Sequence, residues 1–240
     1  MKFLYHTIVK LSCVLSFFGL AACSTQPPLP SPDGGKDPRL VLAERIRNSP
    51  KLAVLFVGNS YSFGVPKAFE KTAAAHGKSV RTGHSTFGGW TLSRHAANES
   101  TLSKIRQGKW DIVVFQEHSE IPALPPRKRA ATMFPSLRKL VTAARQSGAI
   151  PVLYQTWGRR DGDKTLRNDD FYAMNARVRA GYEAAARNCG GIVVVPAGDA
   201  WEREMNAGRG RELFMPDGSH PTQLGNTITA EAFYEAFFGR

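Results

Sequence analysis

Residues 51–77 read KLAVLFVGNSYSFGVPKAFEKTAAAHG. Positions 52–57 form a short apolar run that Gly58 closes. Positions 65–76 have helical character, with Ala68, Phe69, Ala73 and Ala74 able to share one face. The same alternation of strand and helix repeats down the chain. A brief strand is expected at 79–82 and a helix at 92–107. The solid apolar run at 112–115 suits a strand covered on both faces. A helix at 133–145 and a strand at 150–154 follow. Phe171, Met174, Val178, Tyr182 and Ala185 then stripe a helix capped by Asn168 or Asp169. A fifth strand at 191–195 and a last helix at 222–238 complete the series. The pattern predicts an α/β domain, a three-layer αβα sandwich around a mainly parallel, flavodoxin-like sheet of five strands.

Composition agrees with one ordinary domain. The chain has 240 residues, 42% hydrophobic and 22% charged, which excludes a disordered or low-complexity protein. Cys13, Cys23 and Cys189 are too few for a disulfide scaffold or a four-ligand zinc finger. The net charge of +12 is the one departure from average. Its cations are scattered, without the dense run or aromatic interleaving of a nucleic-acid groove, so no nucleic-acid partner is expected. A basic surface facing anionic lipid or glycan is the simpler expectation.

The N-terminus reads as an address. Lys2 and Lys10 flank the start of an apolar stretch at 11–20 that ends in Ala21 and Ala22, the pattern of an export signal. The stretch is shorter than the ~20 residues that cross a bilayer. Leu20-Ala21-Ala22-Cys23 resembles the lipobox of bacterial lipoproteins. That resemblance implies cleavage before Cys23, lipidation of its thiol and, with Ser24 following, placement at the outer membrane. Residues 24–38 hold five prolines with Gly34 and Gly35 and read as an extended tether. The expected organisation is therefore a signal at 1–22, a lipidated cysteine with tether and lead-in at 23–50, and one folded domain at 51–240. Cys189 is left as a small core residue.

Ligands in open α/β sheets bind beyond the carboxyl ends of the strands, so the loops there carry the chemistry. Gly58-Asn59-Ser60-Tyr61-Ser62 puts a serine at a strand-to-helix turn, as a reactive group beside spare N–H donors or as a simple helix cap. Phe87-Gly88-Gly89-Trp90 lets backbone N–H groups approach a substrate, or makes a plain turn. Gln116-Glu117-His118-Ser119 offers a carboxamide donor, with Glu117 and His118 as a solvated or locally bonded pair. In Tyr154-Gln155-Thr156-Trp157 the indole either stacks on a substrate or is buried. In Pro216-Asp217-Gly218-Ser219-His220-Pro221 the aspartate either orients the imidazole or caps the next helix. His84, His95, His118 and Glu117 form no H-E-x-x-H pattern, so neither metal nor cofactor is expected.

In this order, the serine, the glycines, the carboxamide and the D-x-x-H pair resemble the SGNH hydrolases, also called GDSL esterases, across roughly residues 52–238. The resemblance implies Ser60 as nucleophile and His220 as general base, oriented by Asp217. It implies an oxyanion hole from the N–H groups of Ser60 and of Gly88 or Gly89, with Gln116. Tyr61, Trp90 and Trp157 would wall the substrate. The usual G-D-S is Gly58-Asn59-Ser60 here, and Gln116 stands where the family has asparagine. The implied activity is hydrolysis of O-acyl esters, above all O-acetyl groups on carbohydrate, through an acyl-serine. Lipase or lysophospholipase action, acyl transfer with the same triad, and a non-catalytic envelope-binding lipoprotein stand as alternatives. Expected partners are an acylated carbohydrate or other small ester, and the membrane through the lipid.

Overall fold

The computed structural model describes residues 27–31 and 34–239. The expected signal at 1–22 and Cys23 lie outside them. Five strands, β1 (Leu52–Gly58), β2 (Val80–Thr86), β3 (Ile112–Phe115), β4 (Ile150–Gln155) and β5 (Val193–Pro196), pair in the order β2-β1-β3-β4-β5. Every pairing is parallel. β1 lies between β2 and β3, so the chain leaves β1 toward one side and later returns to the other. That reversal is the switch point where such sheets bind ligands, and the loop after β1 carries Ser60 there.

The pleat of β1 divides the core. Leu52, Val54 and Phe56 point into a layer shared with α1 (Pro38–Arg47), α2 (Val65–Ala75), α7 (Ala197–Asn206), α8 (Gly210–Leu213) and α9 (Gln223–Phe238). Leu55 and Val57 face the opposite layer of α3 (Leu92–Ala97), α4 (Glu99–Gln107), α5 (Pro126–Gln146) and α6 (Phe171–Asn188). This is the expected three-layer arrangement.

Several boundaries differ, each for a physical reason. β2 runs to Thr86 because it pairs along the whole of β1, and its polar side chains are tolerated at the sheet edge. The helix expected at 92–107 is broken at Asn98, which ends α3 and caps α4 by accepting from Thr101 N–H. α5 starts earlier, at Pro126, and keeps Pro135 inside it. Asp170, rather than Asn168 or Asp169, caps α6 by accepting from Ala173 N–H. The fifth strand starts two residues late, at Val193.

The lead-in also belongs to the body. α1 begins at Pro38 behind an Asp37 cap and buries Leu42 against the sheet and α9. Residues 27–31 lie on the surface, where Leu29 N–H donates to Asn188 O at 2.9 Å. The folded domain thus extends upstream of residue 51. Removing the Leu42 side chain, Leu42→Ala, should cost about 2–4 kcal/mol in urea unfolding. A chain begun at Lys51 should unfold at much lower urea than one begun at Ser24.

Candidate active site

The loop after β1 is clamped from below. Asn59 accepts from Tyr61 N–H at 3.1 Å and so opens the 3₁₀ turn at Ser60–Ser62. Gln116, buried at the end of β3, accepts from Asn59 N–H at 2.8 Å and from the Ser62 hydroxyl at 3.0 Å. A Cβ at position 58 would run into the Gln116 Oε1, so only glycine lets this carboxamide come so close. His95, buried on α3, donates from Nε2 to Gly58 O at 2.9 Å. Burial lowers its pKa, although the Gly58 carbonyl opposes the shift.

On this base the reactive groups meet. Ser60 Oγ lies 2.9 Å from His220 Nε2, and His220 Nδ1 lies 2.6 Å from Asp217 Oδ2. A proton on Nδ1 directs that nitrogen to the carboxylate and leaves Nε2 to accept from serine. Asp217 Oδ1 accepts from the N–H groups of Ser219 and His220, at 2.9 and 3.0 Å. Burial alone would raise the Asp217 pKa, but the His220 ring and these N–H groups outweigh it and hold the carboxyl down to about 2. The His220 and Asp217 side chains are 44% and 49% exposed, so the site is open to solvent.

The His220 loop is held from several sides. Met215 N–H donates to His220 O and Arg160 N–H to Gly218 O, both at 2.8 Å. Trp157 donates from its indole to Ser219 O at 3.1 Å, and Tyr61 O–H pairs with the Ser219 hydroxyl. Tyr61 stacks on Trp157 at 4.9 Å between ring centres, and Trp157 on Trp201 at 3.6 Å.

Two sequence expectations are corrected by this packing. Tyr61 and Trp157 are buried and support the site from beneath, so neither walls a substrate. Gln116 is buried, with its oxygen accepting from the Asn59 N–H and its Nε2 donating to Glu117 O, so it lies beneath the loop and not at the substrate as an oxyanion donor. The Asn59 N–H can only donate, which fixes the orientation of the amide. Trp90 stays half-exposed at the rim, packed on Phe87 at 4.2 Å. Gly88 and Gly89 form the turn closed by Trp90 N–H on Phe87 O, with Gly89 at φ 67°. The N–H groups of Ser60, Gly88 and Gly89 have no protein acceptor among the described residues.

Sequence reasoning passed over His95, Ser219 and the burial of Glu117. Nothing local announced the first two, whose partners are 37 and 158 positions away. Glu117 is buried, with Oε1 accepting from Leu92 and His118 N–H and Oε2 without a partner among the described residues. Burial raises its pKa to about 7, against the pull of those two N–H groups.

No protein-family model matches the chain, and no curated protein matches it. Solved structures do. A candidate SGNH hydrolase from Slackia heliotrinireducens is 27% identical, with a TM-score of 0.61 over 78% of this chain and 98% of its own. A DUF4886 family protein from Bacteroides uniformis is 20% identical, with a TM-score of 0.67 over 79% of this chain and 84% of that one. An acetylxylan esterase from Geobacillus stearothermophilus is 16% identical, with a TM-score of 0.59 over 78% and 94%. Fold and neighbours define an SGNH/GDSL hydrolase. In chemical terms the protein is a serine ester hydrolase of that type.

Two expectations follow from the buried layer. Gln116→Ala leaves the Asn59 N–H buried and unpaired, so it should lower stability by about 1–3 kcal/mol along with turnover. Loss of a solvent-facing donor would cost turnover alone. Glu117 binds its proton more tightly folded than unfolded, so its stabilising share is complete below pH 4.5 and is lost as pH rises through 7. Glu117→Gln should therefore match the wild type near pH 4.5 and exceed it by roughly 3 kcal/mol at pH 8, read by urea unfolding at each pH.

Proposed function

We propose that the protein hydrolyses O-acyl esters through an acyl-Ser60 intermediate, with O-acetyl groups on carbohydrate as the substrate class. The observation that carries this reading is the unbroken hydrogen-bond line from Ser60 Oγ through His220 to Asp217. His220 takes the Ser60 proton as the hydroxyl attacks the carbonyl, then gives it to the leaving alcohol. It next draws a proton from water, which releases the acid and restores the serine. The tetrahedral oxyanion is received by backbone N–H groups of Ser60 and of Gly88 or Gly89, with no carboxamide from Gln116.

The acetyl-carbohydrate reading is supported by the acetylxylan esterase among the structural neighbours and by the openness of the site, which suits a polymer lying across it. Trp90 and the exposed Phe87 are the aromatic surfaces available to a sugar ring. A second reading, a longer acyl chain, is favoured by Phe63, Phe87 and Met215, which are exposed on three loops bordering Ser60. We further propose that the chain is exported, cut before Cys23 and held by lipid at the outer membrane, as the lipobox-like sequence suggests.

Hydrolysis of p-nitrophenyl esters from acetyl to long acyl chains tests both readings, with the chain that begins at Ser24. Acetyl and propionyl esters should be preferred. Ser60→Ala and Asp217→Asn should each lower turnover by about 10⁴-fold or more. A rise in kcat/KM with chain length would select the second reading.

A further inference from the structure

The charge of the molecule is divided unevenly between the two ends of its sheet. Because all strands are parallel, every connection into a strand lies at the amino end, and every connection out lies at the carboxyl end with Ser60. The five inbound connections, each with the last turn of the helix before it, hold nine lysines and arginines against two carboxylates, Glu44 and Asp111. The outbound loops, with the first turn of the helix after each and the loop ahead of α9 with that helix's first turn, hold nine against eight. The positive surplus therefore sits at the end away from the active site.

Helix C-termini attract cations through the helix dipole, which accounts for those within the last turns. It does not account for Lys51, Lys78 and Lys109, which stand outside any helix just ahead of β1, β2 and β3 and are all exposed. Arg47, Lys51 and Lys109 make no ion pair or side-chain hydrogen bond among the described residues. The one carboxylate in the connection before β3, Asp111, faces Arg45 at 3.8 Å.

The N-terminal segment reaches the body at this same end. Leu29 is bonded to Asn188, the last residue of α6, and Arg145, in the last turn of α5, donates to Pro30 O at 3.3 Å. Cys23 stands four residues before Pro27, a distance that extended chain covers in at most about 14 Å. A lipid on Cys23 would leave the basic end within reach of a bilayer. No helix among the described residues is long and apolar enough to cross one. Exposed large apolar side chains at Phe63, Phe87, Leu166, Tyr172 and Met215 lie on the opposite, carboxyl side.

We infer that the amino end of the sheet is a docking face for anionic lipid headgroups. It adds an electrostatic contact to the lipid anchor and aims Ser60 and His220 away from the membrane. A basic patch beside such an anchor supplies a further hold worth about 1 kcal/mol per Lys or Arg near the surface. β1 rises ~23 Å from this face to the active site. Resting on the esterase reading, the orientation assigns the substrate to material beyond the membrane rather than to the lipids beneath the protein.

Sedimentation with vesicles of phosphatidylcholine and phosphatidylglycerol in equal parts, against phosphatidylcholine alone, tests the face. The chain from Ser24 serves, since it keeps every described residue and carries no lipid. Binding is expected to the anionic vesicles only, and to fall as salt rises. The triple variant Arg47→Glu, Lys51→Glu, Lys109→Glu should bind about a hundredfold more weakly. Arg127→Glu, Lys128→Glu, Arg167→Glu at the carboxyl end should bind as the wild type does. Vesicle-bound protein should hydrolyse p-nitrophenyl acetate as fast as free protein. Absence of binding, equal loss in the second variant, or hydrolysis blocked by vesicles overturns the inference. Binding to immobilised heparin without binding to vesicles also overturns it, in favour of an anionic polymer. A protein that binds vesicles as expected but never hydrolyses an ester fails the esterase reading alone.

Discussion

Ser60 and His220 are 160 positions apart in the chain, and the 2.9 Å contact between them sets the tolerance of the whole carboxyl end. Each loop is bonded internally, but those bonds do not place one loop against the other. A buried polar layer does so instead. Gln116 and His95 hold the two polar atoms of the Gly58–Asn59 peptide, and Trp157 and Tyr61 fix the Ser219 segment beside His220. Inside a protein an unpaired donor or acceptor is expensive, so each of these bonds excludes loop positions that would break it. The nucleophile and its base are aligned by groups that cannot themselves reach a substrate.

That layer explains where sequence reading succeeded and where it stopped. Buried parallel strands announce themselves as solid apolar runs, and β1, β3 and β4 were legible for that reason. The D-x-x-H pair was legible because its geometry is local: three residues and one turn bring Asp217 to both the ring and the N–H of His220. Gln116 was misjudged because its role depends on which way one side chain turns past the last paired residue of β3. The choice is settled by Gly58, a residue on another strand with no side chain to obstruct it. Tyr61 and Trp157 were misjudged likewise. An aromatic at a strand end looks the same in sequence whether it lines a cleft or fills the space below, and here Trp201 and Ser219 draw the rings inward. α1 was hidden behind proline-rich sequence, although Pro38 in a first helical turn is favourable.

Moving Gln116 out of the oxyanion site changes the chemistry expected of the remainder. In the proposed reaction a carboxamide donor is replaced by backbone N–H groups alone, and the one from Gly88 or Gly89 owes its direction to their turn. Asn59 Nδ2 ties that turn to the nucleophile loop by donating to Trp90 O at 3.0 Å. The asparagine that interrupts the family's usual G-D-S thus bridges two loops, a contact that an aspartate, without a donor, would not make. Asp217 is half exposed, so water screens its attraction for the imidazolium. Its depressed pKa reflects short local bonds, with burial acting in the opposite sense.

Parallel topology separates tasks at no structural cost. Every turn that leaves a strand lies at one end, where polar loops converge on the switch point and chemistry can be built from several of them. Every turn that enters a strand lies at the other end, where sequence is free of catalytic demands. Lysines ahead of β1, β2 and β3 would disturb a site that depends on the charge balance around Asp217 and His220 if they stood at the carboxyl end. At the amino end they are about one strand length away, beyond the ~8 Å over which salt leaves charges visible to one another. A basic face can therefore strengthen without altering the titration of the active site. Surface attachment and ester chemistry then vary independently on one sheet.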